Sequence, residues 1–292
     1  MYRITAAILM LLACSTGTHA QDELPNKQSH EQSALDKRIN IERRTLYESF
    51  VITPHKPNYI LPIAYNDTPN YDPNNTGTSS DLDKNEVKFQ MSMKFPITED
   101  LFGEEGSLFF AYTNLSFWQA YNEDTSRPFR ETNHEPELFL IFPVEFEVLG
   151  MRNRLIQLGI VHQSNGRSEP ESRSWNRLYL DFVFQRKDLY LSIKPWVRLT
   201  GSAKDDNPDI QDFLGHGEIR GVYSNGYHTV SLMLRNNLSS PNYGAVELNW
   251  SFPMSRRAKW FVQYFNGYGE SLIDYNAKVN RLGIGIAFTD WL

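Results

Sequence analysis

Cysteine is almost missing from this chain: among 292 residues, only Cys14 carries a thiol. A fold held together by disulfides is therefore excluded, and stability in an oxidising compartment has to come from elsewhere. Long apolar runs are equally scarce. Beyond the N-terminus none approaches the roughly 18 residues of a membrane-crossing helix, and the mean hydropathy is -0.49, so helical spans are excluded as well. No excess of basic residues exists, since 29 Lys and Arg stand against 35 Asp and Glu; that argues against nucleic acid as a partner. There is no G-x-S-x-G elbow, which removes the α/β-hydrolase architecture. Histidines such as His134, His216 and His228 lack metal-ligand spacing. Aromatic residues are what the chain has in quantity: 15 Tyr, 18 Phe and 6 Trp. That load suits a barrel with aromatic girdles, although a soluble protein could carry it too.

The first twenty residues read as an export signal, with Arg3 as a positive start, Ile4 to Ala13 as the apolar segment and Thr18-His19-Ala20 as the cleavage site. Leu11-Leu12-Ala13-Cys14 loosely resembles a lipoprotein signal, which is the alternative processing. Cleavage after Ala20 leaves a mature chain with no cysteine at all. Residues 21–55 are polar, without sustained periodicity, and read as an N-terminal extension. Residues 56–292 carry a different pattern.

In that stretch apolar and polar residues alternate. Val87, Phe89, Met91, Met93 and Phe95 are interleaved with Lys88, Gln90, Ser92 and Lys94, the period of two that marks a strand with one oily and one wet face. The pattern returns at 189–199, 230–234, 244–252 and 282–288, and less cleanly near 108–118, 136–148 and 214–224. Short turns, such as Arg186-Lys187-Asp188 and Ser224-Asn225-Gly226, alternate with long polar loops at 66–85, 121–133, 165–172, 201–213 and 268–278. Counting from about Tyr59 gives twelve strands with both ends on the short-turn side. An all-β, twelve-stranded antiparallel transmembrane barrel of the bacterial outer membrane follows. A β-sandwich or lipocalin-like barrel also alternates. The wet face, however, carries Lys88, Lys94, Glu145, Glu147, Asp181, Lys194, Arg198 and Glu247, too much charge for a small packed core. The last strand, 280–292, places its aromatic residue, Trp291, one position before the end.

One strand breaks the oily rule. In 154–164 the even positions are Ile156, Leu158, Ile160, His162 and Ser164, so a lipid-facing even side carries a His and a Ser at its rim. Polar groups there cost free energy and ask for a reason. The next strand continues with Asn176, Leu178, Leu180, Phe182 and Phe184. A hairpin symmetric about Glu169 sets His162 opposite Asn176, with Cβ atoms ~5 Å apart. Ser164 lies two residues along on the same side. Nucleophile, base and orienter then stand in order: Ser164, His162, Asn176.

The segment from His162 through Asn176, His-Gln-Ser-Asn-Gly-Arg-Ser-Glu-Pro-Glu-Ser-Arg-Ser-Trp-Asn, resembles the signature of the outer-membrane phospholipase A family. Supporting blocks are 128–133 (Pro-Phe-Arg-Glu-Thr-Asn), 205–210 (Asp-Asp-Asn-Pro-Asp-Ile) and 267–275 (Gly-Tyr-Gly-Glu-Ser-Leu-Ile-Asp-Tyr). Gln163, Glu169 and Glu171 depart from the family pattern. The resemblance implies a calcium-dependent homodimer that hydrolyses acyl esters of phospholipids and lysophospholipids, and is inactive as a monomer in intact membrane. It implies the same three residues as the catalytic set. It also implies an oxyanion hole from the Gly166 N–H and a calcium-bound water. Calcium would be held by the Arg167 carbonyl and the Ser172 hydroxyl, with Ser126 from the second chain. Asn114 would lie at the subunit interface, where the family has a longer glutamine; a bond within its own barrel is the other reading.

Neutral oxygen ligands bind calcium weakly, so calcium is expected to promote dimerisation and activity together. The alternative function is a non-catalytic barrel, porin-like or structural; a soluble lipid-binding barrel is a third. Lys204 to Asp209 looks like a calcium loop but lacks the EF-hand's Gly and terminal Glu, and reads as a solvated outer loop, with a secondary ion site as the other option. Asn74 to Thr78 reads as a polar loop tip.

Overall fold

The computed structural model describes residues 33–46, 48, 51–73, 81–98, 101, 106–200 and 205–292. The export signal and the 74–78 loop tip lie outside them. Residues 32–292 form one compact unit.

Twelve long strands make up that unit: β1 (Asn58–Asn66), β2 (Asn85–Thr98), β3 (Ser107–Trp118), β4 (Phe129–Phe142), β5 (Met151–Ser164), β6 (Ser174–Arg186), β7 (Leu189–Leu199), β8 (Gly217–Ser224), β9 (Thr229–Asn236), β10 (Gly244–Pro253), β11 (Lys259–Gly267) and β12 (Val279–Thr289). Each pairs antiparallel with its chain neighbours, and β12 closes the ring on β1 through pairs such as Leu282 with Tyr65. Closure leaves no unpaired edge, the condition for a sheet to stand in hydrocarbon. Two-residue bridges at Thr53–Pro54 and Glu147–Val148 extend the sheet at its short-turn end.

Alternation sorts the side chains as expected. Leu232, Leu234, Val246, Leu248, Trp250, Leu282 and Ile284 project outward, while Ser231, Asn249, Ser251, Gln263 and Arg281 are buried inside. The lumen combines apolar clusters, such as Phe109, Phe139, Val161, Trp175, Tyr179 and Trp196, with ion pairs. Lys88 Nζ lies 2.8 Å from Glu270 Oε1; Arg281 bridges Glu270 and Glu86, each at 2.8 Å; Arg130 joins Glu86 to Asp274. Buried charges are tolerated only when paired in this way.

Three expectations need correction. The strand placed at 136–148 runs over 129–142, because the turn begins at Pro143; Glu145 in that turn and Glu147 in the short bridge beyond it are both exposed, not in the lumen. The strand placed at 214–224 begins at Gly217, since Ile210–Leu214 forms a short helix, α2. The N-terminal extension also contains a helix, α1 (Ala34–Leu46). Its start is fixed by a reciprocal cap: the Asp36 N–H donates to Ser33 Oγ (3.1 Å), and Ser33 Oγ donates to Asp36 Oδ2 (2.7 Å). Leu35 and Ile39, one turn apart, pack on Tyr190, Val222, Trp291 and Leu292 at the short-turn end. Arg154 pairs with Asp36, Lys94 with Glu42, and Arg38 donates to the carbonyls of Pro54 and His55.

Candidate active site

β5 and β6 form a hairpin whose residue numbers sum to 338 in its outer half: Ser164 with Ser174, Gln163 with Trp175, His162 with Asn176. This is the register of a hairpin symmetric about Glu169. Its odd members turn into the barrel, where Trp175 is buried and donates from Nε1 to Gln163 Oε1 (2.8 Å). The even members turn out. His162 and Asn176 are exposed and Ser164 is half-buried. Asn176 Oδ1 lies 2.8 Å from His162 Nδ1, so the amide oxygen accepts the Nδ1 proton and leaves Nε2 as the ring's free acceptor. Ser164 stands two residues along on the same face. A hydroxyl, an imidazole with a basic nitrogen available and an amide holding the tautomer are thus gathered on the lipid-facing side of one hairpin.

The loop after Ser164 is built around Asn165, which is buried. Its Oδ1 accepts the N–H groups of Arg167 and Arg173, and its Nδ2 donates to the Glu171 carbonyl (2.8 Å). Between these anchors Gly166 adopts φ = +65°, a left-handed conformation that favours glycine. Among the described residues the Gly166 N–H has no acceptor. The Arg167 side chain folds back on Glu171 and the carbonyls of Phe129 and Arg130, while its own carbonyl accepts from no described group. Glu171, one departure from the family pattern, is thus the residue that ties Arg167 down. Gln163, another, faces inward as the acceptor for Trp175.

Ser172 Oγ donates to Asp206 Oδ2 (2.5 Å), and the Ser174 N–H donates to Asn207 Oδ1 (2.8 Å). The 205–209 segment is accordingly more than a solvated loop. Asn207 is fully buried, and Asp209 accepts from the Tyr275 hydroxyl (2.5 Å). Burial pushes Tyr275 above its ordinary range, with the Asp209 carboxylate adding to the shift; the phenol stays a donor. Hard oxygen donors (a serine hydroxyl beside a carboxylate, an uncommitted carbonyl) suit calcium chemically. Ser126 lies in the β3–β4 loop, exposed and with φ = +61°; among the described residues no hydrogen bond joins it to Ser172. Asn114 faces outward between Met91 and His134. Its Oδ1 accepts from Ser116 Oγ (2.9 Å) within its own barrel, and its Nδ2 donates to no described group.

Reading the sequence placed Asp206 in a solvated loop and missed two contributors, Asn165 and His134. The last sits directly across from Ser164 on β4. Counting back through the β4–β5 turn, whose pairs sum to 298, would have found it.

A family model described as phospholipase A1 matches residues 35–288. The chain belongs to the phospholipase A1 family. Phospholipase A1 of Klebsiella pneumoniae is 36% identical, with 98% of each chain covered. Among solved structures, outer membrane phospholipase A from Escherichia coli superposes with a TM-score of 0.78 at 35% identity, covering 86% of this chain and 98% of that one. The Salmonella typhi outer membrane phospholipase, a dimer with bound calcium, gives 0.79 at 36%, covering 86% and 97%. The barrel is therefore an outer-membrane one of the Gram-negative type, and its family is one of carboxylic ester hydrolases.

Proposed function

We propose that this phospholipase A1 relative hydrolyses acyl esters of phospholipids and lysophospholipids as a calcium-dependent homodimer, with Ser164 as nucleophile, His162 as base and Asn176 as orienter. The observation that carries the reading is the 2.8 Å bond from His162 to Asn176 on the outward face, two residues from Ser164.

His162 Nε2 takes the Ser164 hydroxyl proton as Oγ attacks the acyl carbon. The carbonyl pair moves onto oxygen, where the unpaired Gly166 N–H is placed to receive it. Collapse breaks the bond to the glycerol oxygen, which leaves with the proton from His162. Water then repeats the sequence on the acyl-serine and frees the fatty acid. Asn176 carries no charge, so it steadies the imidazolium less than a carboxylate would, but it adds no net charge at a hydrocarbon boundary. Substrate arrives laterally along the wall, which removes the need for a deep pocket.

The Arg167 carbonyl and the Ser172 hydroxyl of one chain, with Ser126 of a second, would hold calcium; when bound it supplies a positive field and an ordered water beside the carbonyl oxygen. Asp206 adds the charge that neutral ligands lack. The free Nδ2 of Asn114, aimed outward, is suited to an amide partner across the interface, at a gain of about 0.6–2 kcal/mol.

Fatty-acid release by purified protein in mixed micelles, with calcium and with chelator, alongside Ser164→Ala, tests the reading. Calcium-dependent turnover lost in the variant supports it. Equal background from both proteins would leave a non-catalytic barrel.

A further inference from the structure

The imidazole of His134 occupies the β4 flank of Ser164, opposite the flank on which β6 presents Asn176. Three observations place it. Its Cα is paired with that of Ser164 across the β4–β5 ladder, so the two side chains leave the same face, with Cβ atoms ~5 Å apart. Its Nδ1 lies 2.6 Å from the Tyr112 hydroxyl, the two rings being stacked at 27°. A methyl group added at Gly166 would stand 3.7 Å from Cδ2 and 3.8 Å from Nε2. The ring therefore reaches from Tyr112 at one nitrogen to the Gly166 turn at the other. No described group bonds to Nε2.

The proton on this ring is placed by its neighbour. A phenol is a good donor and a poor acceptor, whereas a neutral imidazole nitrogen is a strong acceptor. Tyr112 thus donates to Nδ1, and the ring proton sits on Nε2, the opposite tautomer to that of His162. One histidine beside Ser164 offers a base; the other offers a donor.

We infer that His134 is a second electrophilic group of the site, donating from Nε2–H to the acyl oxygen as negative charge develops on it. This rests on the reading of Ser164 as nucleophile. As the Ser164 Oγ–carbon bond forms and the carbonyl pair moves to oxygen, that oxygen gains a hydrogen bond from His134 beside the one from the Gly166 N–H. The His134 proton is shared, not transferred, and is regained whole on collapse. Tyr112 acts as a positioning residue by fixing the tautomer.

The test compares four variants for calcium-dependent turnover and for the rate at which a long-chain alkyl phosphonate ester labels Ser164. His134→Phe keeps a ring but removes the donor, and is expected to lower kcat ~10²-fold with KM within about twofold, the scale for one lost oxyanion donor; phosphonylation should slow in parallel. His134→Gln, with an amide N–H at the corresponding atom, should recover most of that loss. Tyr112→Phe should cost only ~3–10-fold, since the correct tautomer remains partly populated. A wild-type kcat in His134→Phe, an effect confined to KM, or equal losses in the Phe and Gln variants would each overturn the inference. Should His134→Phe fail to fold, as judged by heat-modifiable migration, Gln and Tyr112→Phe decide the matter. Ser164→Ala separates the two levels. Activity retained there refutes the nucleophile itself, whereas activity lost there and intact in His134→Phe refutes only the present assignment.

Discussion

The outer walls of β3–β6 and β9–β12 are built on the same alternation yet serve different ends. From β9 to β12 the outward row is hydrocarbon or aromatic over most of its length (Leu232, Leu234, Val246, Leu248, Trp250, Trp260, Tyr264, Leu282 and Ile284) and ends in the amides Asn236, Asn266 and Asn280. From β3 to β6 the corresponding face, near its outer end, reads Asn114, Ser116, Thr132, His134, Ser164, His162 and Asn176. Polar rim residues occur on both walls, but the second sets two histidines beside a serine. The difference teaches that departures from a folding rule, when they adjoin one another across strands, mark chemistry.

The comparison can be broken most severely at Ser164. Ser164→Ala is expected to lower fatty-acid release by about 10⁴-fold or more while leaving the folded barrel's gel mobility unchanged; a collapse of folding instead would mean that the polar row is structural. Next comes the plain wall. Leu248→Arg, at mid-strand in β10, should cost about 2–4 kcal/mol in a urea-unfolding experiment, whereas Asn176→Arg at the rim should cost under about 1 kcal/mol by the same measurement. Equal costs would show that the two walls sit in the same environment. A smaller effect is expected from Asn176→Ala, ~10–100-fold in kcat, because an amide without charge contributes less than the aspartate of a charged triad.

The smallest effect concerns pH. Burial works against the Glu270 carboxylate in the β11–β12 loop, but Arg281 and Lys88 more than offset it and hold its pKa below the usual range. A depressed carboxyl contributes stability in full above its unfolded pKa and loses it as pH falls through the folded value. The Glu270 contribution should accordingly be full at pH 7 and be lost below the ordinary carboxylate range, so Glu270→Gln should flatten the acid limb of the unfolding midpoints. An acid limb unchanged in that variant would contradict the assignment, and the apolar wall contributes no such dependence.

Much of this was legible beforehand, for a physical reason. Period-two alternation is a direct imprint of the pleat, so the faces of β2, β5 and β6 could be read residue by residue. Hairpin symmetry about Glu169 then gave the partner of His162. The elements that escaped obey other rules. α1 is short, and among its described apolar residues only Leu35 and Ile39 pack on the barrel, too few to show as a period within a polar segment; its Ser33–Asp36 cap was the readable trace. Pro136 breaks the even rhythm of β4 by removing an N–H, which disguised a strand that begins at Phe129 and hid His134 within it. Asn165 and Asp206 act through hydrogen bonds across loops, and loop contacts leave no periodic mark on a sequence.

The mouth at the short-turn end is filled from both termini of the described chain. α1 brings Leu35 and Ile39, the last strand ends in Trp291 and Leu292, and Arg220 lies 4.5 Å over the Trp291 ring. Together with the ion pairs inside, these side chains narrow the passage at that end of the lumen. On the proposed reading of Ser164, the hazard this protein poses to the cell lies on its outward wall rather than in its lumen.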